Sequence, residues 1–229
     1  MVDNIPVFFF DLDNCLYGKS HRIHDLMGEK IDAYFINELK DVTTEEASQL
    51  HERYYKDYGL ALEGLVRHHQ VDPMDYNAKV DDALPLEQIL KRDDHLRALL
   101  LRMDTRKVRR WILTNAYVTH AKRVLKILGV EDLFEGITFC DYNQQTLICK
   151  PQPKMFQKAM DEANIQDRTK CFLVDDSQLN VIGAAGFGWG RIIHLIEPQD
   201  PVPAKTSGIE QIRSLDELPA LFPEYFVTC

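Results

Sequence analysis

Five short apolar runs stand out along the chain: VFFF at 7–10, RWILT at 110–114, GITFC at 136–140, KCFLV at 170–174 and RIIHL at 191–195. Their length and β-branched or aromatic content predict strands. Helical patterns lie between the later ones. In VTHAKRVLKILGV, Ala121, Val124, Leu125 and Leu128 recur at helical spacing, and Gly129 marks the stop. PKMFQKAMDEANI has Pro153 at a helix start and places Met155, Phe156, Ala159, Met160 and Ala163 on one face. SQLNVIGAAGFG opens on Ser177 as a predicted cap, and SLDELPALF begins with a capping box from Ser214 to Glu217. Alternating strands and helices predict a Rossmann-like α/β fold, a parallel sheet with helices on both faces joined by right-handed crossovers.

Residues 16–105 read differently. They lack convincing strands and are dense in helix formers. Residues 25–39 form one amphipathic pattern. A second starts at the capping box Thr43–Glu46 and runs to Gly59, and Pro73 and Pro85 punctuate shorter helices beyond it. The chain is therefore expected to consist of an α/β core, 1–15 and 106–229, with a helical module at 16–105 inserted directly after the first strand.

Composition narrows the class. With 229 residues and 45% hydrophobic content the chain can bury a core, and no apolar run reaches the length of a membrane span. The start, MVDNIPVFFF, lacks the basic region and cleavage site of a secretory signal. Five cysteines (Cys15, Cys140, Cys149, Cys171, Cys229) without a C-x-x-C pair suit free thiols in a reducing compartment, the cytosol or the nucleus. A net charge of −9 disfavours a nucleic-acid polymer, and the basic stretch RMDTRKVRR at 102–110 reads as a solvated connector. An acidic chain can still take a small phosphate ester as partner where a metal ion and a local lysine supply positive charge; no membrane partner is expected, and the protein is expected to be a monomer or weak dimer.

Open α/β sheets bind ligands beyond the carboxyl ends of their strands. Past the first strand come Asp11, Asp13 and Asn14; past the second, Thr114 and Asn115; after the third, Lys150; past the fourth, Asp175, Asp176, Ser177 and Asn180. Taken singly, each is more often a turn or a helix cap. Acid, hydroxyl, lysine and acid at four strand ends in chain order favour phosphoryl transfer. Asp11 is the candidate nucleophile, forming an aspartyl-phosphate. Asp13, two residues on, is the candidate general acid and then base. Thr114 and the Asn115 backbone N–H would hold phosphate oxygens, Lys150 would stabilise the transition state, and Asp175 and Asp176 would complete an oxygen cage for Mg²⁺.

The ordered stretches FFFDLDNCL, WILTN, KPQP and FLVDDSQLN resemble the four motifs of the haloacid dehalogenase superfamily. The resemblance implies a cap domain where the 16–105 module sits, and Mg²⁺ held by Asp11, the Asp13 carbonyl and Asp176, with Asp175 supporting. Asp13, absent from the dehalogenase branch, favours phosphatase chemistry. Cys15 stands where the family usually has a threonine. DLDNCLYGKSHRIHDLM with YYKDYGLALEGLVRHH resembles the fungal pyrimidine 5′-nucleotidases, implying hydrolysis of UMP and CMP.

A cap should close over the site and choose the substrate. Tyr17, His21, Arg22, Tyr54, Tyr55, Tyr58, His68 and His69 are candidates for contacts to a base. DYGLALEGL is expected to be a loop approaching the site, bringing Glu63 and Gly64. Two other readings stay open: a phosphatase or phosphomutase acting on another small ester such as a sugar phosphate or nicotinamide mononucleotide, and a phospho-accepting signalling domain.

Overall fold

The computed structural model describes residues 5–39 and 42–227. Four strands follow the predicted runs closely: β1 (Val7–Phe10), β2 (Arg109–Thr114), β3 (Gly136–Phe139) and β4 (Cys171–Asp175), with β5 (Arg191–Leu195) as read. A sixth, β6 (Ile209–Ile212), was not anticipated; its IEQI sequence is too short and polar to stand out, and pairing with β5 makes it a strand. All pairings are parallel, in the order β3-β2-β1-β4-β5-β6, so β1 lies between β2 and β4.

Side-chain alternation divides the sheet between two cores. Phe8, Phe10, Ile112, Val174 and Ile193 face one side. There they meet α7 (Val118–Leu128) through Ala121, Val124, Leu125 and Leu128. Val7, Phe9, Trp111, Leu113, Leu173 and Ile192 face the other. They pack on α8 (Pro153–Glu162) and α9 (Gln178–Phe187). All four residues of β1 are fully buried. At roughly 1.5–3 kcal/mol per large apolar side chain, this burial is what fixes the strand whose tip carries Asp11.

Between β1 and β2 the described residues form a 3₁₀ turn (Lys19–His21) and six α-helices, labelled here α1 to α6 ahead of α7: α1 (Ile23–Glu38), α2 (Thr44–Tyr58), α3 (Ala61–His69), α4 (Pro73–Lys79), α5 (Leu86–Ile89) and α6 (Asp94–Leu101). The Thr43–Glu46 capping box starts α2, and Gly59 ends it in the left-handed conformation. Leu86, Leu90, Leu96, Leu99 and Leu100 around α5 and α6 join the core on the α7 side of the sheet, whereas a separate core forms around Tyr34, Phe35, Tyr54, Leu62, Leu65 and Tyr76. That core also takes in Tyr117, Cys140, Tyr142, Leu147 and Cys149, which flank the approach to Lys150.

Three local readings need correction. Ser177 occupies the α9 cap position, yet its hydroxyl makes no capping bond. The 102–110 stretch is not simply solvated: Arg110 is buried with its guanidinium on the Leu100 carbonyl, and Arg109 reaches Glu135 and the Ala163 carbonyl. The stretch 57–65 is not a loop; only Gly59 and Leu60 separate α2 from α3. The Ser214–Glu217 capping box does form, opening a short turn of 3₁₀ helix before α10 (Leu218–Leu221). Cys15, Cys140, Cys149 and Cys171 are buried free thiols, whereas Cys229 lies outside the described residues. Among the described residues no helix is long and apolar enough to cross a membrane.

Two glycine substitutions should part company. A Cβ on Gly64 would lie 2.1 Å from the Tyr54 ring, so Gly64→Ala is expected to cost about 1–3 kcal/mol by overpacking α3 on α2. Gly186, near the end of α9, has nothing within 4 Å, so Gly186→Ala is expected to be neutral or stabilising by up to about 1 kcal/mol. Urea unfolding midpoints of the two variants check the pair.

Candidate active site

The centre of the site is a buried ion triad. Asp11 leaves the tip of β1, its N–H held by the Val174 carbonyl at 3.0 Å. Lys150 reaches it from the loop after β3: its Nζ donates to Asp11 Oδ1 at 2.7 Å, Asp175 Oδ2 at 2.6 Å and the Leu113 carbonyl at 2.8 Å. Three acceptors satisfy all three ammonium protons. Lys150 is only 1% exposed. Burial opposes its charge, but Asp11 and Asp175 outweigh that and keep it protonated above the usual lysine range. For Asp11 the balance goes the other way: burial, then the Asp175 charge, push its carboxyl well above normal despite Lys150.

Asp13 stands apart from this triad. Beyond β1 the chain turns, with the Cys15 and Leu16 N–H groups on the Leu12 carbonyl and Asn14 at φ 58°, so strand alternation no longer applies. Tyr17 OH donates to Asp13 Oδ1 at 2.6 Å, and His120 Nε2 lies 2.8 Å from the same oxygen. Burial raises the Asp13 pKa, but His120 outweighs it and the net shift is downward. His120 is fully buried, and the Asp13 charge lifts its pKa against desolvation. Asp81, also buried and pushed up to about 6 mainly by desolvation, acts on His120 as a further negative charge.

Thr114 and Asn115 end β2. Thr114 is buried and its Oγ1 accepts the Ala116 N–H at 3.0 Å, leaving its own proton available. Asn115 uses its side chain as a clamp. Its Oδ1 accepts the Lys150 N–H at 2.7 Å, and its Nδ2 donates to the Lys150 and Gly59 carbonyls at 2.9 and 3.2 Å. Gly59 is required there twice over: φ is +79°, and a Cβ would come within 2.4 Å of the Lys150 oxygen. The α2–α3 junction is thereby tied to the loop that carries Lys150.

Oxygens of Asp11, Asp175 and Asp176 lie within 4.8 Å of one another, a donor set that suits a hard divalent cation. Asp175 is already engaged by Lys150, the Ser177 N–H at 2.9 Å and Asn180 Nδ2. Burial, then the Asp175 charge, push Asp176 up to about 7, so it is the carboxyl that a cation would relieve most directly. Beside it, Tyr55 from α2 places its hydroxyl 3.1 Å from Ser177 Oγ, with 45% of the residue exposed. Lys19 also acts on Asp176 while pairing with Asp200 at 2.5 Å.

Of the remaining candidates, Tyr54, Tyr58, His68 and His69 form one cluster of ring contacts between α2 and α3. Arg22 is exposed and paired with Asp25, and His21 Nδ1 lies on the Gly18 carbonyl. Tyr58 OH meets His68 Nε2, and Tyr54 OH meets His69 Nε2. Glu63 is buried and accepts from Arg67 at 2.7 Å, while Gly64 is taken up by contact with Tyr54. Glu63 and Gly64 are thus explained by helix packing inside the inserted segment, which corrects their reading as a substrate loop. The residue that sequence reading missed is His120. Its signal was there: it precedes Ala121 and Val124 on the core-facing stripe of α7, where a polar side chain is out of place.

The chain matches the model of the haloacid dehalogenase-like hydrolase family over residues 5–188. It is 42% identical over 199 residues to Phosphate metabolism protein 8 of Saccharomyces cerevisiae, covering 83% of this chain and 62% of that protein. The chain thus spans about three fifths of the length of that relative. Among solved structures it resembles the HAD-hydrolase YfnB from Bacillus subtilis bound to magnesium, with a TM-score of 0.62, 16% identity and coverage of 96% and 99% of the two chains. It also resembles CbbY from Rhodobacter sphaeroides in complex with phosphate, with a TM-score of 0.65, 16% identity and coverage of 93% and 96%. At these identities the structures establish the shared fold.

The Asp176 shift carries a pH signature. A carboxyl raised from about 4 when unfolded to about 7 when folded binds more protons in the native state, so it lowers stability progressively as pH rises through that window. In the presence of a chelator, Asp176→Asn is expected to be more stable than the parent chain at pH 8, by about 1–3 kcal/mol after screening, and no more stable at pH 4. Urea unfolding across that range checks it; a difference that does not vary with pH would refute the shift.

Proposed function

We propose that this chain, which belongs to the haloacid dehalogenase-like hydrolase family, is a Mg²⁺-dependent phosphatase of nucleoside 5′-monophosphates, with UMP and CMP as its preferred substrates. The observation that carries the phosphatase reading is the pair of carboxylates leaving one strand end for separate partners, Asp11 on Lys150 and Asp13 on Tyr17 and His120. A nucleophile and an acid–base group must act on the same phosphorus without neutralising each other, and separate partners achieve that. The nucleotide reading rests on the motif resemblance and on Tyr55, an exposed aromatic ring beside the acidic cluster on which a base can stack. Residues 16–105 serve as the cap in this reading, and 1–15 with 106–229 as the catalytic core. The four buried free thiols fit a reducing, cytosolic setting.

Asp11, Asp176 and the Asp13 carbonyl would hold Mg²⁺, with Asp175 in support; the ion supplies positive charge that lets a carboxylate approach a phosphate dianion. A carboxylate oxygen of Asp11 attacks phosphorus, and the bond to the ester oxygen breaks with its electron pair going to that oxygen. Asp13 delivers a proton to the same oxygen, and the nucleoside departs. Water then attacks the aspartyl-phosphate while Asp13 takes up its proton, releasing orthophosphate and restoring Asp11. Lys150 and the Thr114 hydroxyl, with the Asn115 backbone N–H, stabilise the charge that gathers on the phosphoryl oxygens.

Phosphate release across UMP, CMP, AMP, GMP, nicotinamide mononucleotide and sugar phosphates tests the reading, with and without Mg²⁺. Release is expected to need the ion and to be fastest with UMP and CMP; a sugar phosphate as the best substrate would overturn the nucleotide assignment alone. Asp11→Asn is expected to lose at least about 10³-fold in kcat, and full Mg²⁺-dependent activity in that variant would overturn the nucleophile.

A further inference from the structure

We propose that His120 and Tyr17 together act as a positioning pair that confines the catalytic proton of Asp13 to a single oxygen. The inference deepens the phosphatase reading above and rests on it. A carboxylate oxygen offers two in-plane lone pairs, and two groups converge on Asp13 Oδ1, enough to occupy both: the Tyr17 hydroxyl at 2.6 Å and His120 Nε2 at 2.8 Å. An ionised carboxylate only accepts, so Tyr17 must donate its hydroxyl proton and His120 must carry a proton on Nε2. Oδ2 receives neither bond. When Asp13 is protonated for its role as acid, the proton therefore sits on Oδ2, and the same oxygen receives the proton from water in the second half-reaction.

The pair is held firmly. His120 is fully buried in the first turn of α7, six residues after Thr114, so its place is fixed by the same strand end that carries the phosphate-binding hydroxyl. Tyr17 is 5% exposed and follows Asp13 by four residues through the turn beyond β1. One donor thus comes from the end of β1 and the other from the far side of β2. Their joint effect is to fix both the position of the Asp13 carboxyl and the identity of its reactive oxygen. His120 Nδ1 is buried with no hydrogen-bond partner, so the ring's only hydrogen bond within the described residues is the one to Asp13. That is the arrangement of a side chain placed to hold one group.

The test uses leaving groups that differ in their need for an acid. A nitrophenolate departs without a proton, whereas an alkoxide requires one, so the acid contributes mainly to the second. kcat/KM with Mg²⁺ is measured for glycerol 3-phosphate and p-nitrophenyl phosphate in the parent chain, Tyr17→Phe, His120→Met, His120→Gln and Asp13→Asn. Tyr17→Phe and His120→Met are each expected to lose about tenfold more on glycerol 3-phosphate than on p-nitrophenyl phosphate. His120→Gln, which keeps an N–H donor, is expected to recover part of that difference. Equal losses on both substrates, or no loss, would overturn the proposal. Tyr17→Phe keeps the buried ring, so the test stands even where His120→Met folds poorly. If Asp13→Asn itself shows no leaving-group discrimination, the acid–base role of Asp13 falls, and this proposal with it. Discrimination in Asp13→Asn but in neither Tyr17→Phe nor His120→Met leaves that role intact and overturns the positioning pair alone.

Discussion

The bond set on which the site depends is the one at Lys150 Nζ. An ammonium 1% exposed is held by two carboxylates and a carbonyl, drawn from just past the tip of β1, from β4 and from β2. Removing a charge from water costs several kcal/mol, and only a geometry that satisfies every donor offsets it. That requirement explains the precision around Lys150: its N–H and carbonyl are both tied to Asn115, and the same amide holds Gly59 of the inserted segment. The loop that delivers the lysine is thus clamped to a strand end on one side and to the α2–α3 junction on the other. Loss of the lysine charge would strand two buried carboxylates beside Asp176.

The core was legible because its chemistry is local in sequence. The runs of β1, β2 and β4 lead directly into Asp11, Thr114 and Asp175, and a parallel sheet collects those ends on one edge. β6 escaped because edge pairing, not composition, makes it a strand. The inserted segment was legible as helical, from Thr43, Glu46 and Gly59, but its contacts were not. Whether Glu63 faces a ligand or Arg67 depends on how α3 rolls against α2, and that is set by Gly64 fitting under the Tyr54 ring. Tertiary packing of this kind leaves no periodic trace. Ser177 is a similar case: capping preference suggested one partner, and the approach of Tyr55 supplied another.

His120 shows where reading could go further. A stripe of core positions on α7 contains one histidine, and a buried polar side chain needs a partner. The partner lies 107 residues away, past the inserted segment, so spacing alone does not name it. Once the sheet order places β2 beside β1, the start of α7 must lie over the turn that carries Asp13. Fold class and a misplaced polar residue together would have been enough to pair them.

The two strand-end carboxyls are driven in opposite directions, Asp11 upward by burial and Asp175, Asp13 downward by His120. The proposed mechanism asks for the reverse, an ionised Asp11 and a protonated Asp13. The Asp11 shift follows from burial and the neighbouring Asp175 charge, and the Asp13 shift from His120; a bound cation and a phosphate would act against both. A cation at Asp11 and Asp176 favours the ionised nucleophile, since positive charge lowers a carboxyl pKa. A phosphate dianion near Asp13 disfavours its charge and raises its pKa toward the protonated form. In the proposed reaction the cation and the phosphate dianion would each push one carboxyl toward the form it needs, so that binding and activation would be one event.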